Sequence, residues 1–389
     1  MITLNVNGGK MKFIHVSDLH LGKRVHEYSM MEDQRHILGE ILKAIDAERP
    51  DALLIAGDVY DRAVPSEEAV TAFGDFLTEV SDRGCETYII AGNHDSGARL
   101  DFCCSILRKS GIHIAGAFNG RMERIETFDG FGKLNIWMLP YFRVSEVRAA
   151  AGHPIETYTD AMNWILETSG IDGDERNLLI AHQFFTGASG ELILSESEDQ
   201  KHEVGGLQDI SESCLEAFDY VALGHLHVPQ KVVRDTVRYC GSPLKYSKSE
   251  CLGEKSITVV DVKGKGDVDI STIPLVPLRD MRIVRGRLED ILEAAPEDAS
   301  ERNDYMFAEL TEHSTRIDEL YDKYPNMMRV EIVYSDGAGS SGDLERSIIE
   351  SESPAQLFSR FYMDMTGEEL SSYQMKLLMS CIDAREGAE

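Results

Sequence analysis

Five stretches of the sequence end in side chains that commonly bind metal ions. In each, a short apolar run is followed by aspartate, asparagine or histidine. The candidate ligands are Asp18, His20, Asp58, Asn93, His182, His225 and His227. Oxygen and imidazole donors in this mixture suit Mn, Fe or Zn better than Ca or Mg, which prefer shells made of oxygen alone. The sequence therefore predicts a transition-metal centre.

Spacing within two of the stretches supports a shared site. Asp18 and His20 are two residues apart, as are His225 and His227. Residues two apart in an extended backbone point to the same side. We therefore expect each pair to present both side chains to one cavity.

The runs that precede these ligands have the length and composition of buried strands. Ala52 to Ala56 is too short and too aliphatic to favour a helix over a buried parallel strand. Gly57 lets the backbone turn where that strand ends, so Asp58 is predicted at the carboxyl edge, where open α/β sheets bind ligands. Amphipathic helices are predicted between the strands, at 33–49, at 66–83 with Ser66 as N-cap, and near 98–110. This alternation predicts a mostly parallel, layered α/β sheet, followed by a hairpin at 123–139.

The rest of the chain divides into further predicted segments. Residues 187–206 are polar and acidic, and we predict that they form a loop at the mouth of the site. The helices predicted after residue 353 form either a pair packed on their own domain or a docking hairpin for a partner's coiled coil. The predicted division is a first domain at 11–278 that starts at Met11, a βαβαβ cap at 279–334, a flexible linker at 335–343 and C-terminal helices at 344–389.

Charge limits the classes of partner. The chain carries 68 acidic against 39 basic residues, a formal net charge of −29. Such a surface repels nucleic acid at long range, so a protein with this charge that acts on DNA needs metal ions at its site and a basic partner. The other interpretation is that acidity only confers solubility.

Cysteine usage and hydropathy indicate the compartment. The seven cysteines are odd in number and show no C-x-x-C spacing, which argues against a disulfide framework and a cysteine zinc site. We predict that the adjacent Cys103 and Cys104 pack within a helix. No apolar run is long enough to span a membrane and no signal-peptide core is present, so the cytoplasm is the expected location.

The ordered motifs D-x-H, G-D, G-N-H-D, H and G-H-x-H resemble those of the calcineurin-like metallophosphoesterases. Within that superfamily, Asp18 to Lys23 and Tyr239 to Ser247 are similar to the corresponding stretches of SbcD-type exonuclease subunits. The resemblance implies a layered β-sandwich flanked by helices, with a small α/β cap domain and C-terminal helices.

The resemblance also implies roles for individual residues. It assigns Asp18, His20, Asp58 and His227 to one divalent ion, and Asp58, Asn93, His182 and His225 to a second, with Mn²⁺ as the expected metal. It implies that His94, unligated, stabilises charge on the phosphate or protonates the leaving 3′-oxygen. By analogy with related phosphatases, Asp61 would orient His94, and Asp95 and Ser17 would support the ligands.

At the level of function, the resemblance implies a two-metal nuclease that acts as an exonuclease, 3′ to 5′ on duplex DNA, and as an endonuclease on single strands. Its expected substrate is DNA, and its expected protein partners are a second copy of the chain and an SbcC-like coiled-coil ATPase. The homodimer and the ATPase would form a heterotetramer, and no association with a membrane is expected. One alternative is a small-molecule phosphodiesterase or phosphatase of the same superfamily. Another is a scaffold whose metal site only stabilises the fold.

Overall fold

The computed structural model describes residues 9–187, 192–197, 209–296 and 301–333, together with residues 358, 359, 362, 370, 371, 374 and 375. The chain divides into two compact units, Met1–Ile332 and Val333–Glu389. In the second unit, residues 358–359, 362 and 374–375 are helical, and the Gln374 amide donates to the Tyr362 hydroxyl at 3.0 Å. The predicted linker at 335–343, and most of the C-terminal helices, lie outside the described residues.

The first sheet carries three of the predicted ligand stretches. Its six strands lie in the order Val268–Pro274, Ser256–Val262, Met11–Val16, Ala52–Ala56, Glu86–Ile90 and Ile112–Ala115. The last four of these are mutually parallel, and the first two pair antiparallel. The four parallel strands are mostly buried, as predicted for strands between two layers, whereas the edge strand Val268–Pro274 is largely exposed.

The second sheet carries the remaining ligand stretches. Its six strands lie in the order Gln230–Lys231, Val237–Tyr239, Tyr220–Leu223, Arg176–Ala181, Gly132–Leu139 and Glu123–Asp129. The four central strands are parallel, and the predicted hairpin around Asp129 forms one edge. The strands Gln230–Lys231 and Val237–Tyr239 pair antiparallel, because the chain turns back between Val232 and Val237.

The two sheets pack face to face and share one apolar core. The first sheet contributes Phe13, Leu54 and Tyr88, and the second contributes Ile136 and Ile180. On the outer faces lie the helices Met31–Glu48, Glu67–Asp82, Val144–Ala151 and Tyr158–Ser169. The result is a β-sandwich with helical outer layers, which confirms the predicted fold class.

Helix prediction succeeded where an apolar stripe was strong. The helix Glu67–Asp82 begins at Ser66, whose side chain accepts from the Ala69 amide at 3.2 Å, as predicted. The continuous helix predicted near 98–110 is wrong. The chain breaks there into Gly97–Leu100, Cys104–Leu107 and a 3₁₀ turn at Arg108–Ser110. Cys103 lies at the break with φ of 62° and is exposed, so it does not pack within a helix.

Residues 281–332 form a small βαβαβ unit, as predicted. Three parallel strands lie in the order Met281–Gly286, Tyr305–Leu310 and Met327–Ile332, with helices Leu288–Glu293 and Asp318–Lys323 on one face. The other face contributes residues such as Phe307 to the core of the first sheet. The boundary at residue 278 stays a prediction, as do the other predicted domain limits.

Ion pairs link the cap strands to the sandwich. Arg279 pairs with Asp33 at 2.7 Å, and Lys248 pairs with Glu309 at 2.8 Å.

Among the described residues, no helix combines the length and apolar character needed to cross a membrane.

Candidate metal centre

The carboxyl ends of the parallel strands from both sheets meet at one edge of the sandwich. Asp18, Asp58 and Asn93 follow three neighbouring strands of the first sheet, and His182 and His225 follow two strands of the second. The His182 ring bridges the sheets directly, since its Nδ1 lies 2.7 Å from the Ala56 carbonyl oxygen. Parallel strands deliver their end residues to one edge, and this brings the dispersed motifs together.

One group of predicted ligands surrounds His20. His20 Nε2 lies 3.0 Å from His227 Nε2 and 3.7 Å from Asp58 Oδ2. Asp18 offers a carboxylate oxygen within 4.8 Å of ligand atoms of both histidines. These are the residues that the family resemblance assigns to a first ion.

A second group surrounds Asn93. Its Oδ1 lies 3.0 Å from His182 Nε2 and 3.1 Å from His225 Nδ1. His182 Nε2 is also 3.3 Å from Asp58 Oδ2, the same oxygen that faces His20. Asp58 therefore lies between the two groups, which is the position that a bridging carboxylate requires.

The backbone at the predicted ligands is not extended. The prediction that the two residues of each pair point to one side because they lie in extended backbone is therefore wrong. Asp18, His20, Asp58 and His225 all have φ between 44° and 102°, in the left-handed region. Both pairs still face the site, but through irregular turns. Such conformations cost about 1–3 kcal/mol each and persist only where the surrounding structure imposes them. A buried network supplies that constraint, since the Asp95 carboxylate accepts from the amides of Val59, Tyr60 and Gly92, at 3.1, 2.9 and 2.9 Å.

Position 92 has no room for any side chain, so it requires glycine. A Cβ atom there would lie 2.1 Å from Asp58 Oδ1 and 2.4 Å from the Asp58 amide nitrogen. The two strand ends approach too closely for any side chain, so Gly92 allows Asp58 and Asn93 to share one site.

Replacing Gly92 by alanine should therefore displace Asp58 and reduce both stability and metal content. We expect a destabilisation of about 1–3 kcal/mol or more, the usual effect of overpacking, and substoichiometric Mn²⁺. Thermal unfolding and metal analysis of the purified protein measure both. Gly39→Ala is the matched control, because no atom of the described residues lies within 4 Å of a Cβ there. It lies within a helix and should be neutral or stabilising. Equal behaviour of the two variants would contradict the argument.

The electrostatics of the site suit a cation. Burial raises the pKa of Asp18. Burial alone would also raise the pKa of Asp58, but its electrostatic interaction and hydrogen bond with His182, with smaller effects of the neighbouring His20 and His94 rings, hold that pKa well below its ordinary value. Burial lowers the pKa of His20 well below its ordinary value. Burial would do the same for His182, but the Asp58 carboxylate raises its pKa to about 9.

These shifts and distances show that the donor set fits divalent metal. Two buried carboxylates need a compensating positive charge. Facing Nε2 atoms at 3.0 Å on His20 and His227 are the arrangement expected when two lone pairs are directed at one ion.

His94 lies beside the first group, and the backbone of Asp61 contacts its ring. Its amide donates to Asp58 Oδ1 at 2.9 Å, and its ring Nδ1 lies 3.0 Å from the backbone carbonyl oxygen of Asp61. Asp61 thus contacts the His94 ring through its peptide, and its role in orienting His94 stays a prediction. The Asp61 carboxylate instead binds Lys23 at 2.9 Å and lies 4.0 Å from His20 Nδ1. His94 also lies within ligand distance of His20 and Asp58, so geometry alone allows it to be a ligand.

Several supporting residues were missed in the sequence. Gln34 donates to the His20 carbonyl oxygen at 2.7 Å and to the Tyr246 hydroxyl at 3.1 Å, and Tyr246 donates to the Leu19 carbonyl oxygen at 2.6 Å. Gln34 precedes Ile37 on the buried stripe of its helix. A polar residue on such a stripe requires a partner, and that was the available signal.

The sequence profile of the family described as calcineurin-like phosphoesterase matches residues 11–229, more than half of the chain. The chain belongs to the calcineurin-like phosphoesterases. A second profile, described as the type 5 capsule protein repressor C-terminal domain, matches residues 277–366. As a calcineurin-like phosphoesterase with this donor set, the chain binds divalent metal ions.

Two relatives match almost end to end. The chain is 31% identical to the SbcD subunit of the SbcCD nuclease from Staphylococcus epidermidis, over 97% of this chain and 100% of the relative. It is 29% identical to the protein of the same name from Staphylococcus saprophyticus, over 96% of this chain and 98% of the relative. Among solved structures, a dimetal phosphatase from Danio rerio aligns with 69% of this chain and 100% of its own, at 11% identity and a TM-score of 0.42.

Proposed function

We propose that this calcineurin-like phosphoesterase is the nuclease subunit of an SbcCD-like complex that processes double-strand breaks. The near end-to-end similarity to two proteins named as the SbcD subunit of the SbcCD nuclease carries the proposal. The convergence of the predicted ligands supports a hydrolytic site. The proposed reaction is cleavage of DNA phosphodiester bonds, 3′ to 5′ on duplex ends and endonucleolytically on single strands.

We assign the first ion to Asp18, His20, Asp58 and His227, and the second to Asp58, Asn93, His182 and His225, both as Mn²⁺. When bound, two such ions acidify water and polarise the oxygens of a phosphodiester. Asp58 lies 3.7 Å from His20 and 3.3 Å from His182, so its single charge serves both groups.

His94 would act on the leaving group. Because its Nδ1 donates to the Asp61 carbonyl oxygen, which can only accept, Nε2 is the atom left to hold and transfer a proton. The ring is fixed further by its edge-to-face contact with His20, with centroids 4.8 Å apart. A general acid with a fixed ring loses less freedom on reaching its reactive geometry.

A substrate panel tests the proposal. A short linear DNA duplex, a cyclic nucleotide and an aryl phosphodiester are each incubated with the chain and Mn²⁺, and the duplex carries a label at either the 3′ or the 5′ end. We expect cleavage of DNA with early release of the 3′ label. Asp58→Asn protein controls for contaminating nuclease. Hydrolysis of the small esters without any DNA cleavage would favour a small-molecule phosphodiesterase, and no hydrolysis at all would favour a scaffold.

The formal charge of −29 makes a partner necessary for action on long duplexes. We propose an SbcC-like coiled-coil ATPase as that partner, in a heterotetramer with two copies of this chain, located in the cytoplasm. Residues 353–385 would form the docking element. Their large apolar side chains would be costly to leave in water, at about 1.5–3 kcal/mol each.

Truncation within 335–343 should separate cleavage of short single strands from the ATP-stimulated degradation of long duplexes. Because Met1–Ile332 is a compact unit by itself, we expect a folded, metal-loaded protein that still cuts short single strands. It should no longer co-purify with the ATPase or degrade long duplexes in an ATP-stimulated manner. A full chain in which 335–343 is replaced by a Gly/Ser segment of equal length is the control. A truncated chain that retains the partner as well as this control does would refute the docking role.

A further inference from the structure

A buried lysine and a buried glutamate lie directly behind His227. Lys255 Nζ donates to the His227 carbonyl oxygen at 2.7 Å, to Ser242 Oγ at 2.9 Å and to Glu250 Oε2 at 2.5 Å. Lys255 is 8% exposed and Glu250 is 2% exposed. An ammonium group has three N–H donors, and each has an acceptor at this position. Lys255 therefore holds the backbone of a candidate metal ligand.

The other oxygen of Glu250 is also surrounded by donors. Oε1 accepts from Ser197 Oγ at 2.6 Å, from Ser247 Oγ at 2.8 Å and from the Tyr246 amide at 3.3 Å. Each of these contacts brings a proton towards the oxygen. The Glu250 carboxylate thus acts as an acceptor toward Ser197.

The hydrogen bond from Ser197 to Glu250 determines which ring nitrogen of His227 carries the proton. A hydroxyl has one proton, and Ser197 donates it to Glu250, so Ser197 Oγ must accept from its other partners. One of these is Ser195 Oγ, at 2.8 Å, and another is His227 Nδ1, at 2.7 Å. His227 consequently carries its proton on Nδ1 and a lone pair on Nε2, the atom that lies 3.0 Å from His20 Nε2.

We propose that Lys255, Glu250 and Ser197 form a positioning relay that fixes the ring orientation and the tautomer of His227 for metal binding. The relay rests on the proposed metal assignment of His227, and its members are positioning residues that touch neither ion nor substrate. Polar partners behind a ligating histidine typically contribute a factor of about 10–100 in metal affinity.

Ser197→Ala tests the relay in the full chain. Ser197 lies in a partly exposed turn, so removal of its hydroxyl leaves the core intact. Ser197→Thr restores a hydroxyl and serves as the conservative rescue. Ser249→Ala is the matched control, because Ser249 Oγ accepts from the Glu196 amide of the same turn at 2.9 Å and contacts Ser247 Oγ at 2.9 Å, whereas the hydrogen bonds to Glu250 and His227 come from Ser197. Glu250→Gln replaces one acceptor by a donor, so Lys255 and Ser197 can no longer both be satisfied.

Two readouts are independent of nuclease activity. Isothermal titration with Mn²⁺ gives the affinity and the stoichiometry. Nitrogen-15 NMR of the histidine rings in the metal-free protein gives the tautomer of His227, with its signals assigned by comparison with His227→Gln. We expect Ser197→Ala to bind Mn²⁺ about 10–100-fold more weakly and to lose the single Nδ1–H tautomer. Ser197→Thr should recover both, and Ser249→Ala should resemble the unmodified chain.

The outcomes separate the relay from the metal assignment itself. Unchanged affinity and an unchanged tautomer in Ser197→Ala would overturn the relay, as would an equal loss in Ser249→Ala. An unmodified chain that binds no Mn²⁺ would overturn the metal assignment, whereas the NMR tautomer still reports on the hydrogen bonds. If Glu250→Gln fails to fold, as judged by circular dichroism and thermal unfolding, the serine variants alone decide.

Discussion

Replacing Asp58 by asparagine should abolish stoichiometric binding of both ions and reduce nuclease activity to background. Asp58 Oδ2 lies 3.7 Å from His20 Nε2 and 3.3 Å from His182 Nε2, one histidine from each group. A neutral amide cannot share negative charge between two cations. Residues behind a ligand already contribute about 10–100-fold to metal affinity, so the loss of a shared ligand should exceed roughly 100-fold.

The substitution is well matched in shape. An asparagine oxygen can still accept from the His94 amide, which donates to Asp58 Oδ1 at 2.9 Å. Local geometry should therefore survive, and the change should isolate the charge. Metal analysis, Mn²⁺ titration and cleavage of labelled duplex DNA measure the effect.

Asp51→Asn is the control for this prediction. Asp51 precedes the same strand, Ala52–Ala56, at its opposite end, and its carboxylate accepts from the Lys12 amide at 2.8 Å. It should retain both ions and full activity. If Asp58→Asn also keeps two tightly bound ions and full activity, the assignment of Asp58 as the bridge is wrong.

Replacing His94 by alanine should leave metal and DNA binding intact and lower turnover by about 10²–10⁴, the usual contribution of a general acid. The physical reason is that His94 Nε2 is the ring atom free to carry a proton, because Nδ1 is engaged by the Asp61 carbonyl oxygen at 3.0 Å. Single-turnover cleavage at saturating Mn²⁺ separates this step from binding. Loss of an ion together with activity would instead make His94 a ligand, which its distance from His20 and Asp58 also permits.

A second variant distinguishes the effect of the Asp61 peptide on His94 from the effect of the Asp61 side chain. Asp61→Ala keeps the carbonyl oxygen that His94 contacts but removes the carboxylate that binds Lys23 at 2.9 Å. We expect a smaller loss of turnover than in His94→Ala. An equal loss would show that the Asp61 carboxylate orients His94. His36→Ala is a surface control, since its ring lies 3.0 Å from the Val276 carbonyl oxygen, away from the metal groups.

The fold followed closely from local patterns. Apolar runs such as Ala52–Ala56 became buried parallel strands, and the βαβαβ pattern after residue 279 became a three-stranded parallel sheet. Periodicity is a property of neighbouring residues, so it can be read from the sequence. It failed near residue 103, where Phe102 and Ile106 are 77% and 64% exposed and no buried stripe holds a continuous helix together.

The sequence by itself determined which residues gather at the site. Each predicted ligand stretch follows a strand, and the parallel strands of one sheet end at the same edge, so the motifs within each sheet converge. Only the tertiary structure decided how they are held there. The backbone at Asp18 and Asp58 adopts the left-handed conformation. The His94 ring contacts the peptide of Asp61, and Ser197 contacts both Glu250 and His227. These contacts join residues far apart in the chain. Hydrogen bonds and close contacts depend on distance in space and on the direction of individual atoms, and no local periodicity records either.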